Sequence, residues 1–130
     1  MPRRVYTTLD ERIEAFRLTD VYPVVTSEFC AGRNPVDVAA SLLAGGARIL
    51  QIREKTMPDR PFLDLLQLVR ELTWECGALL IVDDRVDAAL IAQADGVHLG
   101  LKLQLGAFYA KWSLGITLVI GVISWQDKKL

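Results

Sequence analysis

Short apolar runs alternate with amphipathic stretches along this chain, and that alternation is the feature that most restricts its fold. Strands are predicted for the apolar runs at 21–26, 48–53, 78–82, 96–99 and 117–123. Helices are predicted at 8–18, 35–44, 62–76, 85–92 and 101–115. Because strands separated by single helices form parallel sheets, the sequence predicts an α/β fold with about five βα units.

The helix at 35–44 has clear start and stop signals. Asn34 is a preferred N-cap residue, and Pro35 suits the first helical position. Gly45-Gly46 is expected to end the helix. In the first strand, Pro23 suits an edge position or a strand start, because proline has no amide to donate.

The length of 130 residues predicts one domain, 1–130. Two parallel architectures fit the order of elements: an open doubly wound sheet, or a run of βα units from a (β/α)8 barrel. A complete barrel usually needs ~200 residues or more, so length excludes a closed eight-stranded barrel within this single chain. Both architectures place functional groups at the carboxyl ends of the strands.

Charge and hydropathy patterning exclude several classes of function. Fifteen basic residues oppose 16 acidic ones, for a net charge of −1, which argues against nucleic-acid binding. The apolar runs are far shorter than the ~20 residues that span a membrane, and no apolar stretch of a signal peptide follows the basic start. Cys30 and Cys76 are predicted to be reduced and mostly buried thiols, and a cytoplasmic location is expected.

The most informative candidate site is the run Gln51-Ile52-Arg53-Glu54-Lys55. Side chains alternate along a strand, so Gln51, Arg53 and Lys55 share one side if the strand persists. An amide and two cations at the carboxyl end of a strand suit a diphosphate group. The alternative is a strand-end ion pair in which Glu54 or Asp83 neutralises the two cations.

A second candidate site is the acidic pair Asp83-Asp84, directly after the apolar third strand. Adjacent carboxylates at a strand end could hold Mg²⁺, which prefers oxygen ligands and often bridges to substrate phosphate. The same carboxylates could instead cap the following helix. In the later run from Ala94 to Gly100, His98 is the only histidine, and it is predicted to be a packed, hydrogen-bonded imidazole.

These stretches, in this order and spacing, resemble thiamine-phosphate synthases, a family of (β/α)8 barrels. The matching segments are 51–55, 81–90 and 94–100, with weaker likeness at 22–26 and 44–47. The resemblance implies a partial TIM-type barrel in which 1–20 is an N-terminal extension, 21–100 is the best match and 101–130 is divergent. The family couples hydroxymethylpyrimidine diphosphate to thiazole phosphate in thiamine biosynthesis, releasing diphosphate.

Carried over to this chain, the resemblance implies that Gln51, Arg53 and Lys55 contact the pyrimidine diphosphate and that Asp84 binds Mg²⁺. The position of Asp83 is usually asparagine in the family, so this chain has an extra negative charge beside the metal. The family's second metal-binding carboxylate has no counterpart after Gly100, and Asp83 is the candidate replacement. Ser124 corresponds to a substrate-binding serine, with one residue inserted before it.

The resemblance also implies that strands six to eight, with the thiazole-phosphate contacts, are absent. A C-terminally truncated barrel is therefore expected, and it is expected to associate with a second copy or with a complementing fragment. Two further alternatives stay open: a thiazole tautomerase, which shares the barrel and lacks the metal pair, and an inactive remnant or partner-completing subunit.

Overall fold

A computed structural model of the chain describes residues 3–99 and the backbone of 118–120. The predicted helix at 101–115 and Ser124 lie outside the described residues. The helices are α1 (Leu9–Arg17), α2 (Pro35–Ala44), α3 (Asp59–Cys76) and α4 (Val86–Ile91), with a short 3₁₀ helix at Ser27–Phe29. The strands are β1 (Val24–Val25), β2 (Ile49–Ile52), β3 (Leu79–Asp83), β4 (Gly96–His98) and β5 (Leu118–Ile120).

The strands form one parallel sheet in the order β1-β2-β3-β4-β5. A doubly wound sheet reverses its strand order at a switch point, whereas a (β/α)8 barrel adds each strand beside the one before it. The described strands follow the second pattern. The α/β class and the partial barrel that the sequence predicted are therefore confirmed.

The face of the sheet that meets α2, α3 and α4 carries the larger core. Its strand residues are fully or almost fully buried: Leu50, Ile52, Leu80, Val82, Val97 and Leu99. Phe62, Leu66 and Val69 of α3 pack against them. Both faces of β3 are buried up to Val82, which explains why its sequence is apolar throughout.

The other face of the sheet is covered by the N-terminal segment. Ile49, Leu79 and Ile81 are completely buried there against Tyr6, with Phe16 of α1 packed on the cluster. α1 is stabilised at its start by Thr8 and Glu11, whose side chains each accept a hydrogen bond from the other's backbone amide. The N-terminal segment therefore covers this face of the sheet near the amino ends of the strands, and it does not cover the carboxyl ends.

Two predicted elements begin three residues away from where the structure has them. The first strand is limited to Val24–Val25, because Pro23 has no amide for the ladder and only its carbonyl pairs, with the amide of Gln51. α3 begins at Asp59, ahead of the predicted start at Phe62. Pro61 is tolerated in its first turn, where amides have no partner within the helix. Asn34 caps α2 as predicted, by accepting from the amide of Val36.

A buried ion triad joins the N-terminal helix to the rest of the fold. Asp95 accepts from Arg12 Nε at 3.0 Å and from Arg70 Nη1 at 2.8 Å, and its Oδ2 also accepts from the amide of Leu80. All three charged residues are at most 7% exposed. The contact links α1, α3 and the start of β4, and it was not predicted from the sequence.

Candidate functional site

The carboxyl ends of β2, β3 and β4 bring the sequence-predicted residues to one edge of the sheet. Asp83 and His98 end their strands and lie opposite each other in register. Arg53 and Lys55 follow directly after β2. We call this group the strand-end cluster, and define it as Gln51, Arg53, Lys55, Asp83, Asp84 and His98.

Asp83 is the centre of the strand-end cluster. Lys55 donates from Nζ to Asp83 Oδ2 at 3.0 Å, and Arg53 Nε lies 3.8 Å from the same oxygen. The other oxygen, Oδ1, lies 3.2 Å from His98 Nδ1. The side chain of Asp83 is 10% exposed, whereas those of Arg53 and Lys55 are 49% and 54% exposed. Two half-exposed cations therefore converge on one buried carboxylate.

The environment of Asp83 favours the ionised carboxylate. Burial raises its pKa, but hydrogen bonds from His98 and Lys55 outweigh that effect and hold the pKa below its ordinary value. An ionised carboxylate only accepts hydrogen bonds, so His98 must carry its hydrogen on Nδ1. His98 is hydrogen-bonded, as predicted, but it lies partly exposed at the strand end.

The ion pair that the sequence left open is present, and its acid is Asp83. Glu54 makes a different contact, because its Oε1 accepts from both the amide and the hydroxyl of Ser27, each at 2.6 Å. Glu54 thus ties the loop after β1 to the end of β2. Glu54 therefore does not pair with Arg53 or Lys55, and these two cations face Asp83 at the end of the neighbouring strand β3.

Gln51 lies deeper than the two cations. It is 3% exposed, and its Nε2 donates to the hydroxyl of Tyr22 at 2.9 Å. Burial raises the pKa of Tyr22, so this hydroxyl stays protonated. Tyr22 was not among the site residues predicted from the sequence. A glutamine on a strand buried on both faces needs a polar partner, and that requirement points to a hydroxyl near the neighbouring strand, where Tyr22 lies two residues before β1.

Asp84 lies in a tight turn with an unusual backbone conformation. Its φ is +63°, and the amide of Arg85 donates to the carbonyl of Asp83 at 2.8 Å across it. The amide of Asp84 donates to the carbonyl of His98 at 2.7 Å. Within residues 3–99 the exposed Asp84 carboxylate makes no hydrogen bond or ion pair. It therefore stays open to solvent beside Asp83.

The helix-capping interpretation of Asp83-Asp84 is wrong. The N-cap of α4 is Arg85, and no side chain caps the amides of that helix. Asp84 lies one residue before the N-cap position. Its carboxylate accepts no hydrogen bond from the amides of the first turn of α4, as a capping residue would. Capping therefore does not explain why two carboxylates stand at this strand end.

The residues present fit a magnesium ion that is shared with a substrate. Within 3–99 there is no group of three or more acidic, histidine or cysteine side chains that could enclose a metal. Mg²⁺ commonly takes one or two carboxylates and completes its shell with water and substrate phosphate. Asp84 offers a free carboxylate of that kind, next to cations that suit the phosphate. Residues 100–117 and Ser124 lie outside the described residues.

A cavity of about 660 Å³ lies elsewhere, at the amino ends of β2 and β3. Tyr6, Arg48, Cys76 and Gly77 are among its lining residues, and it contains no member of the strand-end cluster. In parallel α/β folds functional groups usually lie at the carboxyl ends of strands, so the strand-end cluster, and not this cavity, is the candidate functional site. No helix among the described residues has the length and apolar character of a membrane span.

Comparison with known proteins gives a consistent result. A family model described as thiamine monophosphate synthase matches residues 21–127. A thiamine-phosphate synthase of Moorella thermoacetica is 42% identical over 103 residues, which are 79% of this chain and 49% of that protein. One of Caldicellulosiruptor saccharolyticus is 35% identical over 121 residues, covering 93% of this chain and 54% of that protein.

Solved structures agree with the sequence relatives. The structure of a thiamine phosphate pyrophosphorylase from Pyrococcus furiosus matches with a TM-score of 0.65 and 34% identity. The match covers 75% of this chain and 47% of that one. The chain thus spans about half the length of these relatives.

Proposed function

The chain belongs to the thiamine monophosphate synthase family, and we propose that its strand-end cluster binds the diphosphate of hydroxymethylpyrimidine diphosphate together with Mg²⁺. The proposed reaction is the transfer of the pyrimidine group to thiazole phosphate in thiamine biosynthesis, with release of diphosphate. The observation that carries the proposal is the convergence of Arg53 and Lys55 on Asp83 Oδ2, beside the exposed Asp84.

Arg53 and Lys55 supply the charge that a departing diphosphate needs. The guanidinium of Arg53 can bind two phosphate oxygens at once, and the ammonium of Lys55 acts as a compact point charge. Both side chains are about half exposed, so an incoming ligand can reach them. Cations already held at the place where negative charge develops lower the barrier without further reorganisation.

Asp84 is the proposed protein ligand for Mg²⁺. When bound, the ion would neutralise part of the charge on the leaving diphosphate. Gln51 would contact the same substrate through the amide atoms that Tyr22 does not use. Asp83 would hold the two cations in place, and Ser124 remains a predicted substrate contact.

The remaining substrate and the cellular setting are also proposals. Thiazole phosphate would be held by segments beyond the described residues, from this chain, from a second copy or from a complementing fragment. Cys30 is a buried free thiol and Cys76 an exposed one, so the prediction of burial is wrong for Cys76. Free thiols suit the reducing cytoplasm, where we place the protein.

Calorimetric titration with inorganic pyrophosphate, with and without Mg²⁺, tests the binding proposal. We expect binding that tightens with Mg²⁺, and Arg53→Ala to weaken it by ~1.5–3 kcal/mol, the scale of a charge-assisted hydrogen bond. Arg60→Ala is the matched control, because Arg60 is an exposed arginine that pairs with Asp64 on α3, away from the strand-end cluster. Absence of any Mg²⁺-dependent binding by the unchanged protein would refute the proposal.

An assay for thiamine phosphate formed from the two phosphorylated substrates tests the activity. Formation of product supports the synthase. Binding of pyrophosphate without product would instead favour an inactive remnant or a subunit that needs a partner. Metal-independent isomerisation of a thiazole phosphate would favour the tautomerase.

A further inference from the structure

The guanidinium of Arg85 connects the turn after β3 to the start of α3. It forms a two-pronged pair with Asp87, with Nε 3.0 Å from Oδ1 and Nη2 2.9 Å from Oδ2. The remaining nitrogen, Nη1, donates to Asp59 Oδ1 at 3.1 Å, and the guanidinium lies 5.7 Å from the ring centroid of Phe62. The pair with Asp87 is local, whereas the bond to Asp59 crosses to another element.

Arg85 directly follows the strained turn at Asp84. A turn closed by a hydrogen bond between residues two apart, with a positive φ at its centre, is rare and costly for a residue with a side chain. Such strain persists only where surrounding contacts determine the conformation. The contacts on either side of this turn are the hydrogen bond from the Asp84 amide to the His98 carbonyl and the bond from Arg85 to Asp59.

We propose that Arg85 is a positioning residue: through Asp59 it holds the turn in the conformation that presents the Asp84 carboxylate to Mg²⁺. The inference rests on the proposed function of the strand-end cluster and deepens it. Arg85 touches neither the diphosphate nor the metal in this scheme. Its effect is on where Asp84 lies.

A merely structural role for Arg85 makes a different prediction. The side chain of Arg85 is 36% exposed and that of Asp59 is 77% exposed. Exposed ion pairs of this kind contribute little to stability. A structural pair would therefore leave metal binding unchanged, whereas a positioning residue affects metal binding more than it affects stability.

The test compares Arg85→Gln and Asp59→Asn with two matched controls. Arg60→Gln and Asp64→Asn make the same charge changes at an exposed pair on α3 that does not reach the turn. Calorimetry measures the affinity for pyrophosphate with and without Mg²⁺ for each protein. The ratio of the two affinities is the gain due to the metal.

We expect Arg85→Gln and Asp59→Asn each to reduce the metal-dependent gain about 10- to 100-fold, the effect typical of groups that orient a metal ligand. Metal-free affinity should stay within about twofold, because Arg53 and Lys55 are unchanged. The double variant should be no worse than either single one, since both changes weaken the same bond between Arg85 and Asp59. An unchanged gain in both single variants overturns the inference.

Hydrogen exchange of the Asp84 amide gives a readout that needs no metal. This amide bonds to the His98 carbonyl, so loosening the turn should speed its exchange about tenfold in Arg85→Gln. The buried amide of Leu80, which donates to Asp95, reports global stability and should not change. Equal exchange of the Asp84 amide in the unchanged protein and in Arg85→Gln overturns the inference that Arg85 holds the turn. If Arg85→Gln speeds this exchange but the unchanged protein shows no Mg²⁺-dependent binding, the proposed function is refuted and the role of Arg85 in the turn is not.

Discussion

Lys55 Nζ lies 3.0 Å from Asp83 Oδ2, so the cation that we propose to bind the diphosphate already has a carboxylate partner in the protein. The partner holds the ammonium at the strand end and also competes with any anion that binds there. Asp83 is therefore expected to have two opposite effects: it fixes the positions of the two cations, and it lowers their affinity for a bound anion.

Asp83→Asn is expected to tighten pyrophosphate binding. Removing the charge of Asp83 frees Arg53 and Lys55 to interact with the anion. Because the side chains of both cations are about half exposed, the gain in binding free energy should be about 1 kcal/mol, or roughly fivefold in affinity. Calorimetry without metal measures it, with Asp64→Asn as the control for loss of one surface charge. Weaker binding by Asp83→Asn would show that Asp83 mainly organises the cations.

Asp84→Gly is expected to stabilise the fold while removing the metal-dependent gain in affinity. Glycine adopts a φ of +63° without steric cost, so relief of strain should contribute about 0.5–1 kcal/mol. Asp84→Ala loses the same charge but keeps the strain, and should be less stable than Asp84→Gly. Urea unfolding ranks the three proteins, and equal midpoints for the glycine and alanine variants would contradict the strain.

Asp95→Asn is expected to be strongly destabilising. The change leaves Arg12 and Arg70 without the buried charge between them, and breaking a buried ion pair in this way costs about 3–5 kcal/mol. Asp64→Asn, at an exposed pair, should cost less than about 0.5 kcal/mol. Urea denaturation followed by circular dichroism measures both. A small loss for Asp95→Asn would mean that the triad is not held in the folded state.

Glu11 is expected to make the docking of α1 weaken in acid. Hydrogen bonds from Thr7 and Thr8 hold its pKa below the ordinary value of 4.5. Because the folded pKa is the lower one, the stabilisation is complete above the unfolded pKa and is lost as the pH falls through the folded pKa.

The measurement for Glu11 is the urea midpoint of the unchanged protein and of Glu11→Gln, at neutral pH and in acid. Glutamine keeps the capping hydrogen bonds but has no charge to titrate. The unchanged protein should be the more stable at neutral pH, and the difference should vanish in acid. A difference that grows as the pH falls has the wrong sign for this mechanism.

Much of the architecture was predictable because it depends on local patterns. The alternation of apolar and amphipathic stretches predicts parallel βα units, and the Asn34-Pro35 pair marks a helix start that the structure confirms. Boundaries were harder to predict, as the early start of α3 shows. Local propensity around Pro61 does not by itself say whether this proline precedes the helix or lies in the first turn of the helix.

The candidate site was predictable in most of its members, though not in Tyr22 or in the position of His98 at a strand end, and it was not predictable in its contacts. The sequence alone determined that Gln51, Arg53, Lys55, Asp83 and Asp84 would stand at strand ends, since side-chain alternation and strand limits are local properties. Only the tertiary structure decided that Asp83 pairs with Lys55 and His98, that Arg85 reaches Asp59, and that Asp95 joins two arginines. Those contacts depend on which strands are neighbours and on their register, and residues far apart along the chain carry no local signal of either.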